Sequence, residues 1–340
     1  MRPSALQYLA CPKCGGSLVA DGDRPEPDGH IMAGLLVCAC GARYPITAGV
    51  PRLTPENAEL DVNEESELTA DRFGTEWKIF DHPADYFEQQ FLDWVAPLQP
   101  RDFADNVVLE GGCGKGRHTE LVARYGAKAI VAIDLGTAVD VAFRATRHLS
   151  NVHVVQGDLT RPPVPQVFDL AFSVGVLHHL PVPEDGFRAL YSRLVVGGRV
   201  SIWVYGYEHN EWIVRFVNPI RQRITSRMPE RTLYWVSLPP AVALSVLLRA
   251  YRSKLLARRL PYGAYFNYIS RFPLREVHHI MFDQLVTPVA YYLREDEVRR
   301  WFDTDELADV ALQWHNENSW RAAATRIAEA GQSSSERASS

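Results

Sequence analysis

Seven consecutive residues, Glu110-Gly111-Gly112-Cys113-Gly114-Lys115-Gly116, are the first place to look for chemistry. Glycines alternate at 112, 114 and 116 directly after the apolar run Val107-Val108-Leu109. Glycine permits a left-handed turn and lets backbone amides approach a ligand closely. A helix starting near Arg117 would add its own unpaired N–H groups. Alone, such a loop serves dinucleotides and other nucleotide-like ligands equally well. The discriminating residues come later. Asp134, followed by Leu135, closes an apolar run where a carboxylate can accept two hydrogen bonds from ribose hydroxyls, a feature that also suits NAD. In Gln156-Gly157-Asp158-Leu159 a second carboxylate can meet an adenine amino group while Leu159 packs on the ring. The run Phe168-Asp169-Leu170-Ala171-Phe172-Ser173 then delivers Val174, His178 and His179 to the same edge. His178 and His179 are the candidate catalytic residues, as base or substrate ligand; for either alone, packing of the strand end carries the greater weight.

A second cluster lies near the amino terminus. Cys11-Pro12-Lys13-Cys14 is a knuckle that points two thiolates at one centre, and Cys38-Ala39-Cys40 supplies a second pair. Four thiolates form a closed tetrahedral zinc site, and a segment this short needs a metal to offset its small core. Cys11, Cys14, Cys38 and Cys40 are therefore the expected ligands of a structural zinc. The Cys-x-Cys spacing is one residue shorter than usual. Cys113, inside the glycine loop, is a spacer with no redox or nucleophilic role.

These residues need elements to position them. Strands are expected at Asn106–Glu110, Ala129–Asp134, Val152–Gln156, Phe168–Ser173 and Arg199–Tyr205, with helices near Arg117–Tyr125, Ala138–His148 and Glu184–Leu194 between them. That alternation is the signature of parallel βαβ units, whose ligands bind at the carboxyl ends of the strands. The fold class read from it is α/β, a doubly wound Rossmann-like sheet, with a small amino-terminal ribbon and a helical insertion after the fifth strand. The domain reading is a ribbon at 1–53 with a strand at Ile31–Val37, an acidic linker at 54–70, and a catalytic domain at 71–330. Within the last, Phe73-Gly74-Thr75-Glu76-Trp77 marks where structure resumes, and 208–285 forms a helical lid. Two strands return at Leu307–His315 and Ala322–Ile327, and 331–340 is a disordered tail.

In order, Glu110-x-Gly112-x-Gly114-x-Gly116, Asp134, Gly157-Asp158-Leu159, the Phe168-Asp169 strand with Leu177-His178-His179-Leu180, and Gly197-Gly198 resemble the class I S-adenosylmethionine-dependent methyltransferases. The resemblance covers residues 105–205 closely and reaches more loosely to 327. It implies that Glu110 and the loop Gly111, Gly112, Gly114 and Gly116 hold the methionine end of the cofactor. It also implies that Asp134 and Leu135 hold the ribose, that Asp158 and Leu159 hold the adenine, and that Ser173 and Val174 complete the site. The segments Leu9-Ala10-Cys11-Pro12-x-Cys14-Gly15-Gly16 and Cys40-Gly41-x-x-Tyr44-Pro45-Ile46 are similar to the small zinc ribbon that activates, or is fused ahead of, bacterial methyltransferases.

Methyl transfer is an in-line displacement at a sulfonium, so the protein chiefly aligns donor and acceptor and excludes water. Of 340 residues, 36 are Lys or Arg and 41 Asp or Glu, a net charge of −5. That balance argues against a chain-wide grip on nucleic acid but leaves room for a local basic patch. The leading expectation is a small-molecule metabolite as acceptor. An RNA methyltransferase is the alternative, weakened by Val174-Gly175-Val176-Leu177 standing where an Asn/Asp-Pro-Pro-Tyr motif would favour base amino groups. A non-catalytic interaction protein is the third reading. The amino terminus has no signal-like apolar core, so a cytoplasmic protein is expected. The longest apolar stretch, Val236–Leu248, carries Pro239-Pro240 and is too short to span a bilayer. The insertion 208–285, with its basic patch at 249–259, could enclose a bulky apolar small molecule, bind an anionic group such as a phosphate or a lipid surface, or be an amphipathic helical pair packed on the domain. The last carries the greatest weight for any single residue, and the oligomeric state is left open.

Overall fold

The computed structural model describes residues 1–22, 24–54, 86–287 and 290–327. Most of the linker, the Phe73–Trp77 segment and the carboxyl-terminal tail fall outside the described residues. The central feature is a seven-stranded sheet of order β10-β11-β9-β8-β5-β6-β7. Its strands are β5 (Val107–Gly111), β6 (Ala129–Asp134), β7 (Val152–Gln156), β8 (Phe168–Val174), β9 (Leu194–Tyr205), β10 (Leu307–His315) and β11 (Ser319–Arg326). Strands β5 to β9 pair in parallel, whereas β11 runs antiparallel between β9 and β10. The sheet reverses direction of growth at β5 and β8, the switch point where open α/β sheets bind ligands.

The apolar runs explain this arrangement. Strand β5 is buried at every position, as a central strand covered on both faces must be. Alternate residues serve alternate faces. Leu109, Val131 and Ile133 share one core layer with Phe187 and Leu190 of helix α4 (Pro183–Tyr191). Val108, Ile130 and Ala132 share the other with helices α2 (Arg117–Arg124) and α3 (Val139–Thr146). Helix α1 (Tyr86–Trp94) adds Phe91 to that second layer. Helix α4 stops at Tyr191, earlier than the sequence suggests, and Leu194 already belongs to β9. Gly198 explains the difference: a Cβ there would meet two backbone oxygens at 2.9 and 3.1 Å, so only glycine lets the strand start close against β8.

The ribbon is a four-stranded antiparallel sheet, β1 (Leu18–Gly22), β2 (Gly34–Cys38), β3 (Arg43–Thr47) and β4 (Val50–Pro51). It does not stand apart from the main domain. Leu36, Tyr44 and Ile46 join the same core layer as Leu109 and Val131. Arg52 pairs in parallel with Gln156, and the Leu53 amide donates to the Gln156 carbonyl at 2.8 Å, so the ribbon extends the open edge at β7.

The insertion is helical, with α5 (Asn218–Arg223), α6 (Glu230–Tyr251), α7 (Gly263–Ile269) and α8 (Leu274–Val286), before α9 (Glu295–Trp301) returns the chain to the sheet. The apolar run Val236–Leu248 is only part of α6, which continues through Pro239-Pro240 for 22 residues. By length and composition alone α6 meets the requirement for a membrane span, as core helices of soluble proteins also do, while the run Val236–Leu248 within it remains short of one. One stripe of α6, including Leu233 and Ser237, is buried. The Ser237 hydroxyl lies 2.9 Å from the imidazole Nε2 of His278 on α8.

Candidate cofactor site and acceptor floor

The glycine loop is held from below by backbone and from the side by Asp134. The Gly112 and Cys113 amides both donate to the Ile133 carbonyl, at 2.8 and 2.9 Å. The Asp134 carboxylate accepts from the Gly114 amide at 2.8 Å and the Gly136 amide at 2.9 Å. One carboxylate therefore pins the phosphate-type loop to the ribose-side turn, which sequence reasoning did not anticipate. Its remaining lone pairs are available for hydroxyl donors. Gly112 sits at φ +82°, and a Cβ there would approach Val176 Cγ2 to 2.2 Å. Only glycine keeps the loop this close to the chain after β8.

Glu110 is buried at the end of β5. Its Oε2 accepts from the Thr119 hydroxyl at 2.5 Å, while Oε1 finds no hydrogen-bond partner among the described residues. His118 Nδ1 lies 3.8 Å from Oε1. This is not an ion pair, because burial, helped by the Arg117 charge, pushes the His118 imidazolium down to about 3. Burial, reinforced by the Asp134 carboxylate and opposed by the Thr119 hydrogen bond, raises Glu110 to about 8. A buried acid with an orphan oxygen suits a cationic donor such as an α-ammonium group. The residues present thus fit S-adenosylmethionine: Glu110 toward its amino group, the glycine loop toward its chain, Asp134 toward its ribose.

The other expected cofactor residues divide into two sets. Leu159 is buried against Gly111, whose absent Cβ would otherwise come within 2.7 Å of it. Asp158 turns its oxygens inward, accepting from the Thr160 amide and hydroxyl, both at 2.8 Å. Ser173 is fully buried and donates to the Gly111 carbonyl at 2.8 Å. That places it beneath the loop as a strut, one step removed from a ligand. The Leu135 carbonyl accepts from the Gln156 side chain at 2.8 Å, and Gln156 in turn accepts from Arg52 at 3.1 Å. Arg52 also pairs with Asp140 at 2.6 Å. Gln156 and Arg52 were missed from sequence. The signal was Gln156 itself, adjoining Gly157-Asp158.

On the acceptor side, His178 is buried and stacks on Tyr205 with ring centres 4.0 Å apart. The Tyr205 amide donates to His178 Nδ1 at 3.4 Å. Burial and the neighbouring His179 hold its imidazolium well below the usual range, so His178 is a neutral packing platform and a poor general base. His179 is half-buried beside it. The polar groups that do converge come from three elements. Gln284 donates to the Tyr205 hydroxyl at 3.1 Å and accepts from the Tyr292 hydroxyl at 3.2 Å. Tyr205 and Tyr292 stack, and the Tyr205 hydroxyl reaches Asp283 at 3.4 Å. Burial raises the Asp283 carboxyl and holds the Tyr205 phenol well above its ordinary value, so both favour their protonated forms. The return of Phe282–Leu285 and Tyr291-Tyr292 to the catalytic edge, legible as aromatic clustering, builds this floor.

A cavity of about 540 Å³ opens next to the floor, with Tyr292, Asn218, Gln222, Arg223, Arg227 and Arg294 in its wall. It shares Tyr292 with the floor, and none of Glu110, Gly112 or Asp134 lines it.

In the ribbon, the four sulfurs of Cys11, Cys14, Cys38 and Cys40 lie within 4.8 Å of one another. Cys11 and Cys40 are 3.8 Å apart and Cys14 and Cys38 3.5 Å. Tetrahedral zinc–thiolate bonds of about 2.3 Å put sulfurs roughly 3.8 Å apart. The short Cys38-Ala39-Cys40 spacing still converges, because the turn closes with the Gly41 amide on the Cys38 carbonyl at 2.9 Å.

Residues 109–202 match a family model described as a methyltransferase domain. Among curated proteins, a tRNA U34 carboxymethyltransferase of Psychromonas ingrahamii is 32% identical over 146 residues, 41% of this chain and 42% of that protein. Its counterpart in Pectobacterium atrosepticum is 30% identical over 178 residues, 51% of this chain and 49% of the relative. The chain thus spans less than half the length of these relatives. A solved SAM dependent methyltransferase from Aquifex aeolicus covers 75% of this chain and 98% of its own at 13% identity and a TM-score of 0.41. Residues 109–202, which carry the glycine loop, Glu110 and Asp134, are thus similar to a methyltransferase domain, and that loop with its two acids fits S-adenosylmethionine.

Proposed function

We propose that this chain transfers the methyl group of S-adenosylmethionine to an RNA acceptor. The single observation that carries the transfer is Glu110 and Asp134 set about one glycine loop, each beside a backbone or side-chain donor that fixes it. The cofactor supplies an electrophilic methyl on a sulfonium. The chain's own residues align it: Glu110 toward the amino group, Asp134 toward the ribose, Leu159 toward the adenine. Tyr205, Tyr292, Gln284 and Asp283 present hydrogen-bonding groups to the acceptor and exclude water around it. Two observations favour RNA over the small metabolite expected from sequence. The curated relatives are named for tRNA, and the cavity rim carries Arg223, Arg227 and Arg294 against one acidic residue, Glu297. A small metabolite remains the second reading, supported by the half-buried, tyrosine-lined floor.

Incubating the protein with radiolabelled cofactor and either total tRNA or a nucleic-acid-free metabolite extract separates the readings. Label is expected in tRNA and is expected to vanish with Asp134→Ala. That variant removes the Gly114 anchor of the loop, the Gly136 anchor of the turn and the ribose acceptor, for a loss of about 3 kcal/mol, on the order of a hundredfold in cofactor affinity. Label only in the metabolite fraction sinks the RNA reading and leaves the transferase. Failure of the unmutated protein to bind cofactor by calorimetry sinks both.

We also propose that the ribbon holds one structural zinc, with support from the convergence of four sulfurs. Metal analysis is expected to give one zinc per chain, lost in Cys11→Ser and in Cys40→Ser. Because the ribbon shares a core layer with the main sheet, metal loss is expected to lower the unfolding midpoint by ~10 °C. Full zinc content in either variant removes that residue from the ligand set.

A further inference from the structure

The helical insertion carries an unusual combination of charge and exposed apolar surface. Between residues 212 and 275 stand twelve Lys and Arg and a single acidic residue, Glu230, in a chain whose net charge is −5. Within that segment α6 inverts the pattern of an ordinary surface helix. Its buried stripe, Leu233, Ser237, Ala241 and Leu248, faces the protein. From Trp235 to Leu247, every exposed residue of the helix is apolar. Trp235 is 67% exposed, Val246 56% and Leu247 53%. A second exposed stripe repeats at helical spacing in Phe216, Ile220 and Ile224. Water contact with so continuous an apolar face is unfavourable, and large patches of this kind mark interaction sites.

The flanking charges identify the partner. Arg231 precedes the apolar face; Arg249, Arg252, Arg258 and Arg259 follow it, all exposed. A second copy of the chain docked here would bring these guanidinium groups together, and like charges at short range oppose such a dimer. An RNA would satisfy the arginines but not the valines and leucines. An anionic lipid surface satisfies both, because headgroups meet the arginines while Trp235 and the aliphatic side chains enter the acyl boundary. The buried stripe commits the other side of α6 to the fold, so the helix would lie in the interface plane rather than span it.

We infer that the face of α6, with the arginines that flank it, docks the protein onto anionic membranes. None of its apolar residues lines the cavity next to the floor, so the inference goes beyond the choice of acceptor. The test is flotation of the full-length protein with vesicles of phosphatidylcholine alone or mixed with phosphatidylglycerol. Binding is expected only to the anionic vesicles, weakening as salt rises. The pair Trp235→Glu and Leu247→Glu, and separately Arg249→Glu with Arg252→Glu, are each expected to lower vesicle affinity at least tenfold while leaving cofactor binding by calorimetry unchanged. That unchanged binding shows the variants are folded. Three results overturn the inference: no binding to anionic vesicles at low salt, a dimer in solution that the Trp235 and Leu247 changes dissolve, or tRNA binding that those same two changes abolish.

Discussion

Gly112→Ala is expected to abolish cofactor binding and to destabilise the fold by about 2–5 kcal/mol. Two effects combine. Gly112 sits at φ +82°, a left-handed conformation that costs an L-residue roughly 1–2 kcal/mol. The added methyl would also lie 2.2 and 2.6 Å from the two γ-carbons of Val176 and 2.8 Å from its Cβ. Forcing a partly packed valine aside adds about 1–3 kcal/mol. The displacement propagates to function because the Gly112 amide is bonded to the Ile133 carbonyl, next in chain to Asp134. Moving the loop therefore misaligns the anchor at Gly114. Gly126→Ala is the matched control: its φ of +89° carries the same backbone strain, but a Cβ there meets only Ala104, at 3.9 Å. That variant is expected to lose about 1–2 kcal/mol and keep its cofactor affinity. Equal affinities for the two variants by calorimetry would show that the contact with Val176 does not matter.

The contrast explains what was legible before the fold was seen. Strands β6 and β7 begin and end where the sequence places them, because a parallel strand covered on both faces is a buried, mostly apolar segment with turn residues at each end. The glycine loop was legible for the same local reason. What could not be read were relations between distant segments. Asp134 looks like a free ribose ligand in sequence, yet one of its oxygens already holds the glycine loop at Gly114 and the other its own turn at Gly136. Ser173 looks like a strand-end ligand, yet it faces down onto Gly111. His178, promoted by its place after β8, turns out to stack on Tyr205 from the following strand. The polar floor draws Tyr205, Asp283, Gln284 and Tyr292 from positions up to 87 residues apart, and no local pattern announces it. The ribbon was recognised by its cysteines, but its role as an extra edge on β7 depends on Arg52 meeting Gln156 across 104 residues.

Cofactor affinity is expected to rise with pH through the neutral range, and Glu110 is the reason. In the ligand-free protein its carboxyl is raised to about 8, by burial first and by the Asp134 carboxylate second. Below that pH it is protonated, and a ligand α-ammonium must displace the proton to gain a carboxylate partner. Affinity should therefore increase by up to about tenfold per pH unit between 6 and 8, with release of a proton, and level off above. The stability of the ligand-free fold runs the opposite way. An acid whose folded value lies above its ordinary 4.5 stabilises fully below 4.5, and that contribution is lost as pH climbs through 8. Asp134 is raised by burial too, so the pH slope alone does not name the group. Glu110→Gln does: the amide can keep the Thr119 contact and mimic the protonated acid. The variant is expected to bind the cofactor with little pH dependence, about a hundredfold more weakly than the unmutated protein at pH 8, and to be the more stable of the two there. An analogue without the amino group, such as methylthioadenosine, should show no slope with either protein. Isothermal calorimetry in buffers of different ionisation enthalpy counts the protons directly. A slope that survives in Glu110→Gln would transfer the titration to Asp134 and leave the orphan oxygen of Glu110 without its ammonium partner.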